Sequence, residues 1–285
     1  MLISRSRLLT SFALIGMAIC SLACPVKSSV AQNPPQTASA EPKLTEEEMT
    51  QFLLNAKVID SRQEGKGVTK PFILTLSDGK ITHDASFQSI DEYKDIMDWG
   101  DGTVELGFRD TYHYNLAAYE LAKLIGLQDR LPVTVERKWR GKKGSLTWWI
   151  DDIKMDEDDR SSKGITPPDA AAWEKDIQTM SIFKELICES NRNRTNLLYD
   201  SKWRMYMVDF GRAFRRNRDI NTQDLYRCSR QMFERLRQLT EADLERATKP
   251  HLQKRDVKAV IARRDKIVAH YEKLIAQKGE REVLH

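Results

Sequence analysis

Residues Asn191–Gly211 constrain this chain more than any other segment. A polar loop, Asn191–Asn196, leads into two short apolar runs, Leu197–Tyr199 and Arg204–Val208, separated by Asp200–Trp203. The second run ends in Val208-Asp209-Phe210-Gly211. Two such runs around a short polar link predict a β-hairpin. Antiparallel pairing would set the residue before the first strand beside the residue after the second. Here those are Asn196 and Asp209, whose side-chain oxygens suit a hard divalent cation. An Asp before a Gly is by itself a common turn former; it is the paired Asn196 that makes a candidate metal site.

The chain before this segment reads as mainly strands. Thr45–Ala56 is a helix, capped by Thr45 with Glu46, Glu47 and Glu48 in its first turn. Phe72–Leu76 and Ile81–Phe87 flank Ser77-Asp78-Gly79-Lys80, an Asp-Gly hairpin signal. The flexible basic loop Gly65–Pro71 enters that hairpin. Tyr114–Leu127 is a helix ending near Gly126, and Leu131–Val135 and Leu146–Ile150 are strands around Gly141–Gly144. Beyond residue 165 the pattern turns helical. Pro167-Pro168-Asp169 opens a helix whose Trp173, Ile177, Met180, Phe183 and Ile187 form a core-facing stripe. Helices resume at about Asp224, with a start at Thr240 and a long amphipathic helix over Val257–Ile275.

The first 31 residues carry Arg5, Arg7 and Lys27, no acid, and an apolar run over Leu8–Ala23. This predicts a secretory signal cleaved after Ala31, followed by a polar linker over 32–44 and a domain over 45–285. Lipidation at Cys24 is the alternative. The expected location is therefore periplasmic or secreted, with no transmembrane span in the mature chain. The whole chain has 46 basic and 42 acidic residues, a net +4; loss of the three signal cations leaves +1. No basic field remains to argue for nucleic acid. Cys188 and Cys228 are the cysteines that survive cleavage, and they either pair or stay buried as thiols.

A strand-rich half with one helix, then a helical half holding a polar loop and an Asp-Phe-Gly hairpin, is the order a phosphotransfer fold of the kinase type needs. Phosphoryl transfer depends mostly on positioning and charge neutralisation through metal ions held by an Asp and an Asn. The chain resembles the atypical kinase group that includes phosphatidylinositol kinases, secretory-pathway kinases and bacterial toxin kinases, and more closely exported bacterial proteins of that group. Their loop reads Asp-Arg-(His or Asn)-x-x-Asn-(Ile or Leu)-Leu, matched here by Asn191–Leu198, and their metal motif reads Ile/Val-Asp-(Phe or His)-Gly, matched by Val208–Gly211. The resemblance spans about residues 67–267, including Lys70-Pro71, Asn115–Leu121, Leu127–Arg137 and Val208–Phe214.

It implies an α+β, protein-kinase-like two-lobed fold: a β-rich N-lobe with one helix over about 57–150 and a mainly helical C-lobe over about 165–285. It also implies Mg or Mn with ATP, Asp209 and Asn196 as metal ligands, and Arg192 as an orienting residue of the catalytic loop. Asn191 stands where the family carries its catalytic Asp. It can orient a hydroxyl but cannot accept its proton; Glu189 and Asp200 are substitute bases. Gln88 stands where kinases carry the phosphate-pairing lysine. Lys66, Lys70 or Lys94 is expected to replace it, Lys70 first, with Glu120 as its partner.

Two functions follow. One is an exported phosphotransferase acting on a protein or glycan hydroxyl; the other is a pseudokinase that binds nucleotide, metal or a partner without transfer. A purely structural envelope protein would leave the loop-hairpin motif unexplained. Arg192, Arg194, Arg212, Arg215, Arg216 and Arg218 form either a phosphate-binding surface or a solvated rim. Asp151–Asp159 reads as a solvated acidic loop. Of the adjacent pair Trp148 and Trp149, at least one should pack in the core. The five histidines show no ligand spacing that predicts zinc or haem, and nothing supports a hydrolase.

Overall fold

A computed structural model describes residues 44–63, 71–189 and 193–285. The signal and linker expected over 1–44 lie outside it apart from Leu44, as do Lys66, Lys70, Asn191 and Arg192. Helix α1 (Glu46–Asn55) starts at a capping box: the Thr45 hydroxyl accepts from Glu48 N at 3.2 Å and the Glu48 carboxylate accepts from Thr45 N at 2.7 Å. Its buried Phe52 and Leu53 face a five-stranded antiparallel sheet.

That sheet comprises β1 (Lys57–Gln63), β2 (Phe72–Ser77), β3 (Thr82–Gln88) and, after an insertion described next, two later strands. Asp78 closes the β2–β3 turn by accepting from the N–H groups of Lys80 and Ile81 at 2.8 Å each. A separate ribbon follows, β4 (Asp91–Asp98) with β5 (Val104–Thr111), and then helix α2 (His113–Ile125), ended by Gly126 at φ 80°. Strands β6 (Thr134–Trp139) and β7 (Lys142–Trp148) complete the order β1-β2-β3-β7-β6. The sheet requires glycine at one crossing. A Cβ on Gly144 would sit 2.3 Å from the Gln88 carbonyl oxygen and 2.8 Å from the Phe87 ring.

The acidic stretch is not a solvated loop. It builds β8 (Ile153–Asp156) and the short helix α3 (Glu157–Ser162), with Asp156 capping α3 through Asp159 N at 2.8 Å. Acids at a helix start satisfy its free N–H groups and its dipole. Helix α4 (Ala170–Ile187) is capped by Asp169 as the sequence predicts. Strands β9 (Leu197–Asp200) and β10 (Met205–Met207) join β8 in a small sheet of order β10-β9-β8. Helices α5 (Arg230–Gln238), α6 (Glu241–Thr248), α7 (Lys254–Lys278) and α8 (Glu280–Val283) complete the helical half.

Two further differences from the sequence reading have local causes. Strands β1 and β4 carry little apolar alternation, and β5, whose Val104, Leu106 and Phe108 do alternate, is not among the strands expected from the sequence. The turn between β6 and β7 narrows to Arg140-Gly141, both at positive φ (46° and 80°), which moves both strands toward it. Cys188 and Cys228 are free thiols, and burial pushes Cys228 up to about 12. Trp148 is partly buried against Phe52 and stacks on His83, while Trp149 stays exposed. Among the described residues no helix is long and apolar enough to cross a membrane.

Candidate active site

The β9–β10 hairpin pairs Leu197 with Met207, and beyond that pair Val208 N donates to the Asn196 carbonyl at 3.1 Å. Asn196 closes a single 3₁₀ turn over Arg194–Asn196, where the Asn193 side chain accepts from Thr195 N at 3.1 Å. Register therefore puts Asn196 one residue from direct opposition to Asp209. Asp209 itself lies in the left-handed region at φ 59°. Asp tolerates that conformation better than most residues, and here it redirects the chain immediately after β10. The loop is braced from below. Glu157 accepts from Arg160 Nε at 2.7 Å and from the Tyr199 hydroxyl at 2.7 Å, and lies 3.7 Å from Arg194.

Across the cleft, α2 reaches the Asp-Phe-Gly segment through Asn115. A backbone N–H can only donate, so the Asn115 Oδ1 must face Phe210 N, at 2.7 Å. The Asn115 Nδ2 is then left to donate to the Gln88 Oε1 and, at 3.1 Å, to the Ser145 hydroxyl. All three side chains are buried. Gln88 is thus the acceptor of a neutral amide network rather than a group free to meet phosphate. Glu120, one turn further along α2, pairs with Lys123 at 2.8 Å. Lys94 lies by Glu92 at 3.4 Å and over the Phe108 ring. Among the described residues no lysine forms an ion pair with Asp209.

A second carboxylate does. Asp110, the penultimate residue of β5, has its Oδ1 buried without a hydrogen-bond partner among the described residues. A Cβ on Gly211 would come within 2.6 Å of that oxygen, so glycine is required for the approach. The backbone is locked alongside, with Thr111 N donating to Gly211 O at 2.9 Å. Burial pushes Asp110 up to about 6, and the negative charge of Asp209 pushes in the same direction. Arg212 offsets this only in part, and two neighbouring acids of this kind are what a divalent cation would neutralise. No pattern in the sequence marks Asp110, because its neighbour Asp209 lies 99 residues away in the chain. Asn115 did lie in one of the segments carrying the family resemblance. A narrow cleft opens here, lined in part by Thr134, Thr147, Val208, Asp209 and Phe210.

The arginines after Gly211 are mostly engaged in ion pairs. Arg212 and Arg215 hold Glu105 of the ribbon at 2.7 and 2.8 Å, and Arg216 holds the buried Asp256 at 2.9 Å. Arg212 also stacks on Trp99 and Phe108. The cluster thus ties the ribbon and α7 to the Asp-Phe-Gly segment. Asp200 is spent on its own turn, accepting from Arg204 Nε at 2.8 Å and from Lys202 N at 2.8 Å.

No protein-family model matches the sequence, and no curated protein does. Solved structures do match the fold. The structure of hydra Fam20 with sugar aligns at a TM-score of 0.62 with 15% identity, covering 84% of this chain and 91% of that one. The Golgi casein kinase with Mn/ADP bound aligns at 0.59 with 13% identity, covering 84% and 78%. The β-sheet half and the helical half together make an atypical protein-kinase-like fold.

Proposed function

We propose that this chain is an exported kinase-like phosphotransferase that uses a Mg- or Mn-nucleotide to modify a protein or glycan hydroxyl. The observation that carries the proposal is the pair of carboxylates, Asp209 and Asp110, brought together beside Asn196 at the end of the β9–β10 hairpin. The donor set fits a hard cation: carboxylate and amide oxygens, one of them buried and otherwise unpartnered. Asp209 and Asn196 would hold the ion, with Asp110 behind them. A bound divalent ion would neutralise charge on the transferred phosphoryl group. The chain's own part is to orient. Asn115 clamps Phe210, the hairpin register aligns Asn196 with Asp209, and Asn191 is assigned to hold the acceptor hydroxyl. Lys70 is assigned to the phosphates and Arg192 to ordering the loop. That a structurally similar Golgi casein kinase binds Mn/ADP supports the choice of ligand.

A second reading, nucleotide binding without transfer, is favoured by Gln88, whose amide is committed to Asn115 where kinases place a lysine. Thermal shift with MnATP and with Mn²⁺ alone tests both readings, because a ligand at a hundredfold excess over its dissociation constant stabilises by about 2.7 kcal/mol. The absence of a shift with every nucleotide overturns both. Where binding occurs, labelled-phosphate transfer by wild type, Asn191→Asp and Asp209→Ala separates them. Transfer by wild type that is lost in Asp209→Ala supports the enzyme. Transfer gained only in Asn191→Asp marks a pseudokinase.

A further inference from the structure

Far from the Asp209 hairpin in sequence, three residues that the chain holds well apart converge. His113 opens α2, Glu136 lies in β6, and His251 sits in the turn between α6 and α7. One potential ligand atom from each lies within 4.8 Å of the others. The Nδ1 atoms of the two histidines face each other at 2.9 Å, with the rings tilted by 33° and their centroids 5.2 Å apart. All three side chains are half-buried, so an ion could enter and still be partly shielded from water.

We propose that His113, Glu136 and His251 form a binding site for a borderline divalent transition metal, zinc being the expected ion. The warrant is donor chemistry. Two imidazoles and one carboxylate are a known three-ligand zinc set, with a fourth position open to water. Imidazole nitrogen also selects zinc over the magnesium and manganese that oxygen donors prefer. The surroundings supply orienting groups of the kind metal ligands use. The Asp91 carboxylate stands 4.0 Å from the other nitrogen of His113. The Tyr112 hydroxyl donates to Glu136 Oε2 at 3.3 Å, and Lys143 Nζ lies 3.0 Å from Oε1. Lys143 is a cation at the site. It holds the oxygen that carries no Tyr112 bond and lowers the charge that Glu136 offers the ion.

The three ligands come from both halves of the fold. Metal there would pin the start of α2 and the sheet edge β6 to the turn leading into α7. Asn115, which holds Phe210, lies two residues after His113, so the pin would bear on the helix that carries the clamp. The site shares no residue with Asp209, Asp110 or Asn196, and it stands or falls independently of the phosphotransfer reading.

The test uses untagged mature chain, stripped with chelator and titrated with ZnCl₂ by calorimetry, with Co²⁺ as a spectroscopic probe. The expected result is one zinc per chain, a rise in melting temperature and a tetrahedral Co²⁺ spectrum. Binding should be lost in His251→Ala and retained in Asp209→Ala. Should His251→Ala fail to fold, Glu136→Gln, which keeps the shape and removes the charge, should weaken zinc by at least about tenfold. A wild-type chain that binds no stoichiometric zinc overturns the proposal, leaving a simple histidine–histidine hydrogen bond. Undiminished binding in His251→Ala or in Glu136→Gln overturns it too.

Discussion

The side-chain oxygen of Asn115 accepts the backbone N–H of Phe210 at 2.7 Å, joining residues 95 apart in the chain. Through that bond the helix α2 sets the conformation of the segment that carries Asp209. Asn115→Ala removes the side-chain acceptor of the Phe210 N–H and the donor to the Gln88 carbonyl. A lost buried partner costs about 1–3 kcal/mol, so a drop of that size in denaturant unfolding is expected. Mn-nucleotide affinity should fall with it. Asn115→Asp keeps the acceptor but removes both Nδ2 donations and should not rescue.

Placing a lysine at position 88 should not improve nucleotide binding. Gln88→Lys places a group with no acceptor opposite Asn115 Nδ2, at a position only 8% exposed. Destabilisation of about 1–3 kcal/mol is expected, without a gain in nucleotide affinity. Chemical denaturation and a nucleotide titration on the same sample check this.

Gly211→Ala separates metal binding from folding. Its Cβ would meet Asp110 Oδ1 at 2.6 Å, and the next side-chain atom, Gln88 Nε2, lies farther off at 3.6 Å. The Asp110 carboxylate must move from its place. Mn²⁺ titration should show weakened binding, with a smaller effect on the melting temperature in chelator. Asp110→Asn removes a buried charge that has no donor, and should raise stability in chelator while lowering Mn²⁺ affinity.

Glu157 governs acid stability. Despite the cost of burial, hydrogen bonds from Arg160 and Tyr199 hold its carboxyl below the usual range. A depressed folded-state value means that the stabilisation is complete above the unfolded value of about 4.3 and is lost as pH falls through the folded value. Glu157→Gln should therefore cost about 2 kcal/mol at neutral pH and nearly nothing at the acid end. Melting curves across about pH 2–7 check the convergence of the two proteins.

Arg263 is fully buried on α7, and it donates to the carbonyls of Leu186 at 2.8 Å, Arg215 at 2.9 Å and Asn217 at 2.5 Å. It thereby joins the end of α4, which precedes the Asn191 loop, to the segment after Gly211. Arg263→Met keeps much of the bulk but leaves those carbonyls unmet, and should cost about 3 kcal/mol or more. Arg263→Lys can meet part of the set and should cost less. Denaturant unfolding of the two variants gives the ranking.

Local signals settled what local physics governs. The capping box at Thr45, the Asp-Gly turn at Gly79, the Asp169 cap and the Asn196/Asp209 hairpin were all legible, because each depends on residues within a turn or a strand pair. Strands β1 and β4 were not, since they carry little apolar alternation, and the Val104, Leu106, Phe108 alternation of β5 has no such partner strand beside it in the sequence to mark a hairpin. The acidic stretch misled for the opposite reason: its charges serve as cap and brace, which requires knowing that Tyr199 and Arg160 lie beside Glu157. Which helix residue meets the Asp-Phe-Gly segment could not be read from spacing along α2. Asn115 rather than Glu120 reaches it because the helix axis is set by packing against the sheet. Asp110 beside Asp209, and His113 with Glu136 and His251, are encounters between segments with no local relation. Side-chain chemistry names the possible ligands; only the packing of sheet on helix decides which of them meet.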